Sequence, residues 1–166
     1  MSNGTKKPVS LQIDDGLEEI TIINKYGKEL GTFYFCPTDT TILARYERTA
    51  AMIEEALLPL QENAQQEQPE ELSEDELKAI GSNMRKATEK ICAAFDYLFG
   101  GNVAEAFFSS CSPLTLTNGS FYCENVVEAI GKRIAQRVQE ETGAVNKRIA
   151  KYTHGYRTGK HAAGKK

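Results

Sequence analysis

Between Leu72 and Gly101 the chain carries both a beginning and an end for one long helix, and these two signals limit the fold more than any others. Ser73 and Glu76, three residues apart, form a capping-box pattern, with Leu72 and Leu77 placed as a hydrophobic staple. Leu77, Ile80, Met84, Ala87, Ile91, Phe95 and Leu98 then recur at helical spacing, and Gly100-Gly101 supplies the left-handed residue that closes such a helix. A helix that long with a single apolar stripe is stable only against a second layer.

That layer is sought upstream. LEEITIIN (17–24) and ELGTFYF (29–35) alternate apolar and polar residues around KYGK, which predicts a β-hairpin over 17–35 turning near Tyr26-Gly27. VSLQID, just before, is a candidate third strand. A lone hairpin is barely stable in water and must pack on helices. After Pro37, Thr38 or Asp39 caps a helix in which Ile42, Tyr46, Ala50, Ile53, Leu57 and Leu60 share one face. Pro59 is expected to stop or kink it. QENAQQEQPEE (61–71) has no large apolar residue and reads as a solvated linker or a frayed helix end.

Downstream, NVAEAFF predicts a short helix over 103–108 capped by Asn102, and SSCSPLTLT a loop. The stretch SPLTLTNGSFYCENVVEAIG (112–131) admits several readings. Asn118-Gly119-Ser120 is a glycosylation sequon, Asn-Gly is a hairpin turn signal, and Cys123 sits among polar residues. No apolar segment follows the N-terminal lysines, so neither a signal peptide nor export is expected, and with them the sugar is discarded. No second strand pattern follows Asn118-Gly119. The stretch is therefore read as the entrance to a last helix over 121–150, with Ser120 as N-cap and Glu124 at the positive end of the helix. The expected fold class is α+β: an N-terminal hairpin, or three strands, packed on three to four helices (39–59, 74–99, 103–108 and 121–150) with a linker at 61–72. A single domain spans 16–152, residues 1–15 are expected to be flexible, and 153–166 form a disordered basic tail.

Charge separates along the chain. All 23 acidic residues lie at or before Glu141, with 13 basic ones; after it come seven basic residues and no acid. This distribution suggests an acidic body with a basic arm. Tyr152, Tyr156, Arg157 and Lys160 could bind single-stranded nucleic acid by phosphate contact and stacking, though the acidic body repels phosphates. A solubilising tail and docking to an acidic protein surface are the other readings. No enzyme signature is present: there is no P-loop, G-x-S-x-G, H-E-x-x-H or G-x-G-x-x-G. His154 and His161 both lie on the arm, away from Cys36, Cys92, Cys111 and Cys123, so neither nucleophile activation nor a four-ligand zinc spacing is found. The expectation is a protein without catalytic residues, cofactor or metal.

Three segments carry a family likeness: EITIINKYGKELGTFYFCPTD (19–39), FDYLFGG (95–101) and FYCENVVEAIGKRI (121–134). With their spacing, the chain from about 20 to 150 resembles the small tail assembly chaperones of long-tailed phages and prophages of Gram-positive bacteria. The resemblance implies a non-enzymatic protein that coats the apolar, helical tape measure protein and helps recruit tail tube subunits. It further implies a place in the host bacterial cytoplasm and absence from the finished virion. Partner contact would then fall on aromatic residues at the helix ends. Phe95, Phe107 and Phe121 are expected in the core; Tyr97, Phe99 and Tyr122 are expected to face a partner, with Tyr152, Tyr156, Arg157 and Lys160 on the arm. Self-association suits a protein that coats a rod. The alternative function is a phage nucleic-acid-binding regulator using the basic arm.

Overall fold

The computed structural model describes residues 8–65 and 71–160, with residues 63–65 and 152–160 placed by their backbone alone. Among them run β1 (Glu18–Ile23), β2 (Glu29–Phe35), α1 (Thr40–Gln65), α2 (Glu74–Phe99), α3 (Ala104–Phe108), β3 (Leu116–Thr117), β4 (Ser120–Phe121) and α4 (Tyr122–Lys160). The α+β class is as the patterning requires: an antiparallel hairpin on a helical body.

The hairpin pairs Ile20 with Phe33 and Thr21 with Thr32, and the register slips between Ile22 and Ile23 as the chain approaches its turn. Gly27 takes φ 78°, and the Asn24 side chain accepts the N–H groups of Tyr26 and Lys28 at 2.9 and 3.0 Å, so the turn closes where Tyr26-Gly27 predicts. VSLQID adds no strand: the sheet has two strands, and Val9, Leu11 and Ile13 are exposed. One hairpin face is polar, with Thr21 across from Thr32; the other presents Phe33 and Phe35 to the helices.

α1 and α2 form an antiparallel pair. Asp39 caps α1 by accepting the Thr41 N–H at 2.9 Å, and the Ser73–Glu76 capping box opens α2. Gly100, with φ 74°, ends α2 by donating its N–H to the Asp96 carbonyl. Ile42, Ile53 and Leu57 meet Ile91, Phe95 and Leu98 in the core, and Thr49, fully buried, satisfies its hydroxyl on the Ala94 carbonyl at 3.4 Å. The α2 stripe is buried only in its second half; Leu77 and Met84 remain exposed, which leaves no buried staple at Leu77.

Four expectations need correction. First, α1 does not end at Pro59 but continues to Gln65. Proline frees the carbonyl four residues earlier, at Glu55; both positions are exposed, so that carbonyl is not stranded in the core, while Leu60 still packs against it. Of the rest of the expected linker at 61–72, residues 66–70 lie outside the described residues and 71–72 are non-helical. Second, α3 is capped by the Asp96 carboxylate rather than Asn102: Asp96 accepts the N–H groups of Val103 and Ala104 at 2.8 Å each. Third, Asn118-Gly119 does turn a hairpin. Asn118 and Gly119 take φ 55° and 80°, and Leu116 and Thr117 pair with Phe121 and Ser120. Its second strand is only two residues long and merges into α4, too short to leave an alternating pattern. Ser120 therefore sits in β4, and the first N–H groups of α4 are met by other partners. Glu124 accepts from Phe121 at 2.8 Å, and the carbonyls of Thr115 and Pro113 accept from Tyr122 and Cys123.

Fourth, α4 does not stop near residue 150. Its backbone stays helical to Lys160, so the disordered tail expected from 153 is helical over 153–160; 161–166 lie outside the described residues. No proline interrupts the segment, and although Thr153, Gly155, Thr158 and Gly159 are poor helix formers, it extends a helix already nucleated upstream, where each added residue gains a backbone hydrogen bond without the cost of starting a turn.

Two glycines test this packing in opposite directions. A Cβ on Gly31 would sit 2.8 Å from Ala106 Cα, where β2 crosses α3, whereas one on Gly81 in α2 would meet nothing within 4 Å. Gly31→Ala is expected to cost about 1–3 kcal/mol by overpacking. Gly81→Ala is expected to gain about 0.5–1 kcal/mol by helix propensity. Urea unfolding of the two variants checks both signs.

A candidate binding groove between the hairpin and the last helix

The hairpin is too narrow to cover the helix beside it. Along β1 and the first turns of α4 an open groove of about 390 Å³ remains, with Ile20, Ile22, Ile23, Phe33 and Phe35 on one side and Tyr122, Val126, Ala129 and Ile130 on the other. Strand alternation brings Ile20 and Ile22 to this face, and helical spacing brings Tyr122, Val126 and Ile130 to theirs. Val126 and Ile130 are buried, Ile20 and Ile22 half-buried, and Ile23 is 63% exposed. Arg133 contributes the charge in this lining.

One end of the groove is clamped electrostatically. Glu18, at the start of β1, receives Arg133 at 2.5 Å and also Arg137, which in turn bonds Glu140 and Glu141. Burial raises the Glu18 pKa, but the hydrogen bonds from Arg137 and Arg133 and their positive charge outweigh it, holding the carboxyl below its usual value. The clamp ties the hairpin's first residue to α4 where few apolar contacts do so.

The aromatic residues singled out in the sequence do not converge on one surface. Tyr122 lines the groove and meets Phe108 edge-on with centroids 6.0 Å apart; burial, then Cys111, pushes its phenol pKa up. Phe99 lies one layer beneath, edge-on to Phe33 and Phe35 at 4.8 and 5.2 Å, so it supports the groove floor. Tyr97 is on another face, its ring under the Arg48 guanidinium at 5.6 Å. Phe95 and Phe107 are buried and Phe121 half-buried. Tyr152, Tyr156, Arg157 and Lys160 belong to the far part of α4, and Tyr152 lies about 45 Å along the axis from Tyr122. The residues that sequence reasoning missed are Ile20, Ile22, Ile23, Ala129 and Arg133. Their periodicity was readable, but periodicity marks a face and not whether another element covers it.

The lining suits apolar contact. Cys123 is fully buried next to the groove, and burial, aided by the Glu124 charge, raises its pKa to about 11, so at neutral pH it is a protonated thiol packed in the core. Among the described residues no group of three His, Cys, Asp or Glu is placed to hold a metal ion, and no helix is long and apolar enough to cross a membrane. A second apolar groove, about 530 Å³, lies between α2 and the segment leading through β3 and β4, with Leu60 of α1 at its side; Ile80, Met84, Leu114, Leu116 and Phe121 line it.

Two measurements follow from these environments. Because the folded-state pKa of Glu18 is lowered, its contribution is present above the unfolded value near 4.5 and is lost as pH falls through the folded value. Glu18→Gln should therefore flatten the acid limb of the stability–pH curve below pH 4.5, leaving the neutral-to-alkaline slope as it is. In native-state alkylation followed by mass spectrometry, Cys123 should label much more slowly than the half-exposed Cys111, and the difference should vanish in denaturant.

No family model, no curated protein and no solved structure matches the chain. What it does must be argued from its own surfaces.

Proposed function

We propose that this protein is a non-enzymatic phage tail assembly chaperone. On this reading it binds amphipathic helical segments of the tape measure protein, keeps them soluble in the host cytoplasm, and helps recruit tail tube subunits. The observation that carries the reading is the open apolar groove between β1 and α4. Both its walls come from segments that bear the family likeness, 19–39 and 121–134. An amphipathic helix laid along such a groove buries apolar residues at i, i+3 or i+4 spacing, a recurrent mode of recognition. Binding would be driven by apolar burial, worth roughly 25 cal/mol per Å² before association costs. It should therefore tolerate high salt.

Co-expression with the tape measure protein of the same phage should yield a soluble complex that persists at about 1 M salt, where charge–charge contacts are screened. Ile23→Asp and Ala129→Glu change exposed or rim positions of the groove and should weaken the complex at least tenfold while the free protein's melting temperature moves little. A tape measure protein that stays insoluble on co-expression would refute the chaperone reading. So would a complex indifferent to both substitutions refute the groove. Retention on DNA that disappears on deleting residues 152–166, without any tape measure complex, would favour the nucleic-acid regulator instead.

A further inference from the structure

The last helix leaves the body behind. Every residue from Gln139 to Lys151 except Gly143 is exposed, and the backbone continues helical to Lys160. From Thr142 onward this arm holds Lys147, Arg148, Lys151, Arg157 and Lys160 and no acid, and Val145 is 47% exposed on it.

The same chain presents a complementary surface at the other end of α4. A shallow recess of about 260 Å³ lies between α1 and α4, with Ala50, Ile53, Leu57 and Val127 as its floor and Glu54, Glu124 and Glu128 around it. Tyr46 closes one side, its hydroxyl donating to the Val127 carbonyl at 3.2 Å above Gly131. The nearest cation on α4, Lys132, pairs with Glu128, but both side chains are more than 60% exposed, so the pair is weak and exchangeable. Arg48 of α1 is turned the other way, over Tyr97.

We propose that the basic arm of one copy docks on this acid-rimmed α1–α4 recess of a second copy, Val145 entering the apolar floor while Arg148 and Lys151, which flank it on the helix, meet the glutamates. A single molecule cannot make the contact with itself. Glu128 and Lys147 lie about 28 Å apart along one unbroken helix, and α4 forms a wall of the recess it would have to reach. The pairing is therefore intermolecular and head-to-tail, and such heterologous contacts propagate into rings or open chains of copies. It uses a different surface from the hairpin groove and does not depend on tape measure binding.

Sedimentation of the full chain over about a hundredfold concentration range should show the average mass rising above the 18.4 kDa monomer at about 0.05 M salt and returning towards it at about 1 M. Arg148→Glu/Lys151→Glu and Glu54→Lys/Glu128→Lys should each raise the concentration for association at least tenfold. Mixing the two altered proteins should restore it, because each then offers the charge the other needs. Circular dichroism and melting temperature report whether the exposed substitutions leave the fold intact, and the salt series on the unaltered chain decides independently of them. A chain that remains 18.4 kDa throughout at low salt would overturn the proposal. Association indifferent to salt, to either charge reversal, or unrestored in the mixture would also overturn it.

Discussion

A two-stranded sheet has no layer of its own to bury its apolar face, and in this protein a cluster of phenylalanine rings supplies one. Phe33 and Phe35 on β2 contact Phe99 at the end of α2, and Phe33 also meets Phe107 of α3, with ring centroids 4.8–5.2 Å apart. Phe95 and Phe108 extend the cluster towards Tyr122 at the start of α4. Each buried ring contributes about 1.5–3 kcal/mol by removal from water, and favourable ring pairs about 0.5–1.5 kcal/mol more. Gly31 belongs to the same arrangement, since only the absence of its side chain lets β2 approach Ala106 so closely. Without this cluster the hairpin would have nothing to stand on, and the groove beside it would have one wall.

The groove follows from the geometry of that attachment. Two strands are held over α2 and α3 by the rings, while contact with α4 is made through Glu18 and its arginines and through a few aliphatic side chains. The sheet is thus fixed on its β2 side and only clamped at one end of its β1 side. An apolar strip of α4 that a third strand would have covered stays open, and Val9, Leu11 and Ile13 do not cover it, being exposed themselves. The result is a rigid floor with walls that leave apolar surface available.

Features specified by neighbours in sequence were legible, and those specified by distant contacts were not. The hairpin turn, the Asp39 cap and the Ser73–Glu76 box, with Gly100 closing the same helix, are local backbone satisfaction, written within a few residues of where they act. Asp96 capping α3, the carbonyls of Pro113 and Thr115 receiving the start of α4, and Leu60 carrying α1 beyond Pro59 depend on chain brought together by folding. The Asn118-Gly119 turn illustrates the boundary: its signal was local, but its strands were too short to register as a pattern. The site shows the same division, for Tyr122 was identified from its place at a helix start, whereas Ile20, Ile22 and Ala129 were indistinguishable from core until the uncovered strip was visible.

In the proposed function, the strip between β1 and α4 is the surface that receives an apolar helix. Amide hydrogen exchange tests this by comparing the free protein with its mixture with an amphipathic helical peptide taken from its proposed partner, the tape measure protein. Slower exchange is expected in residues 20–23 and 122–133, with little change around Tyr97 and the middle of α1. Protection spread elsewhere, or absent from both walls of the groove while the peptide is bound, would contradict it.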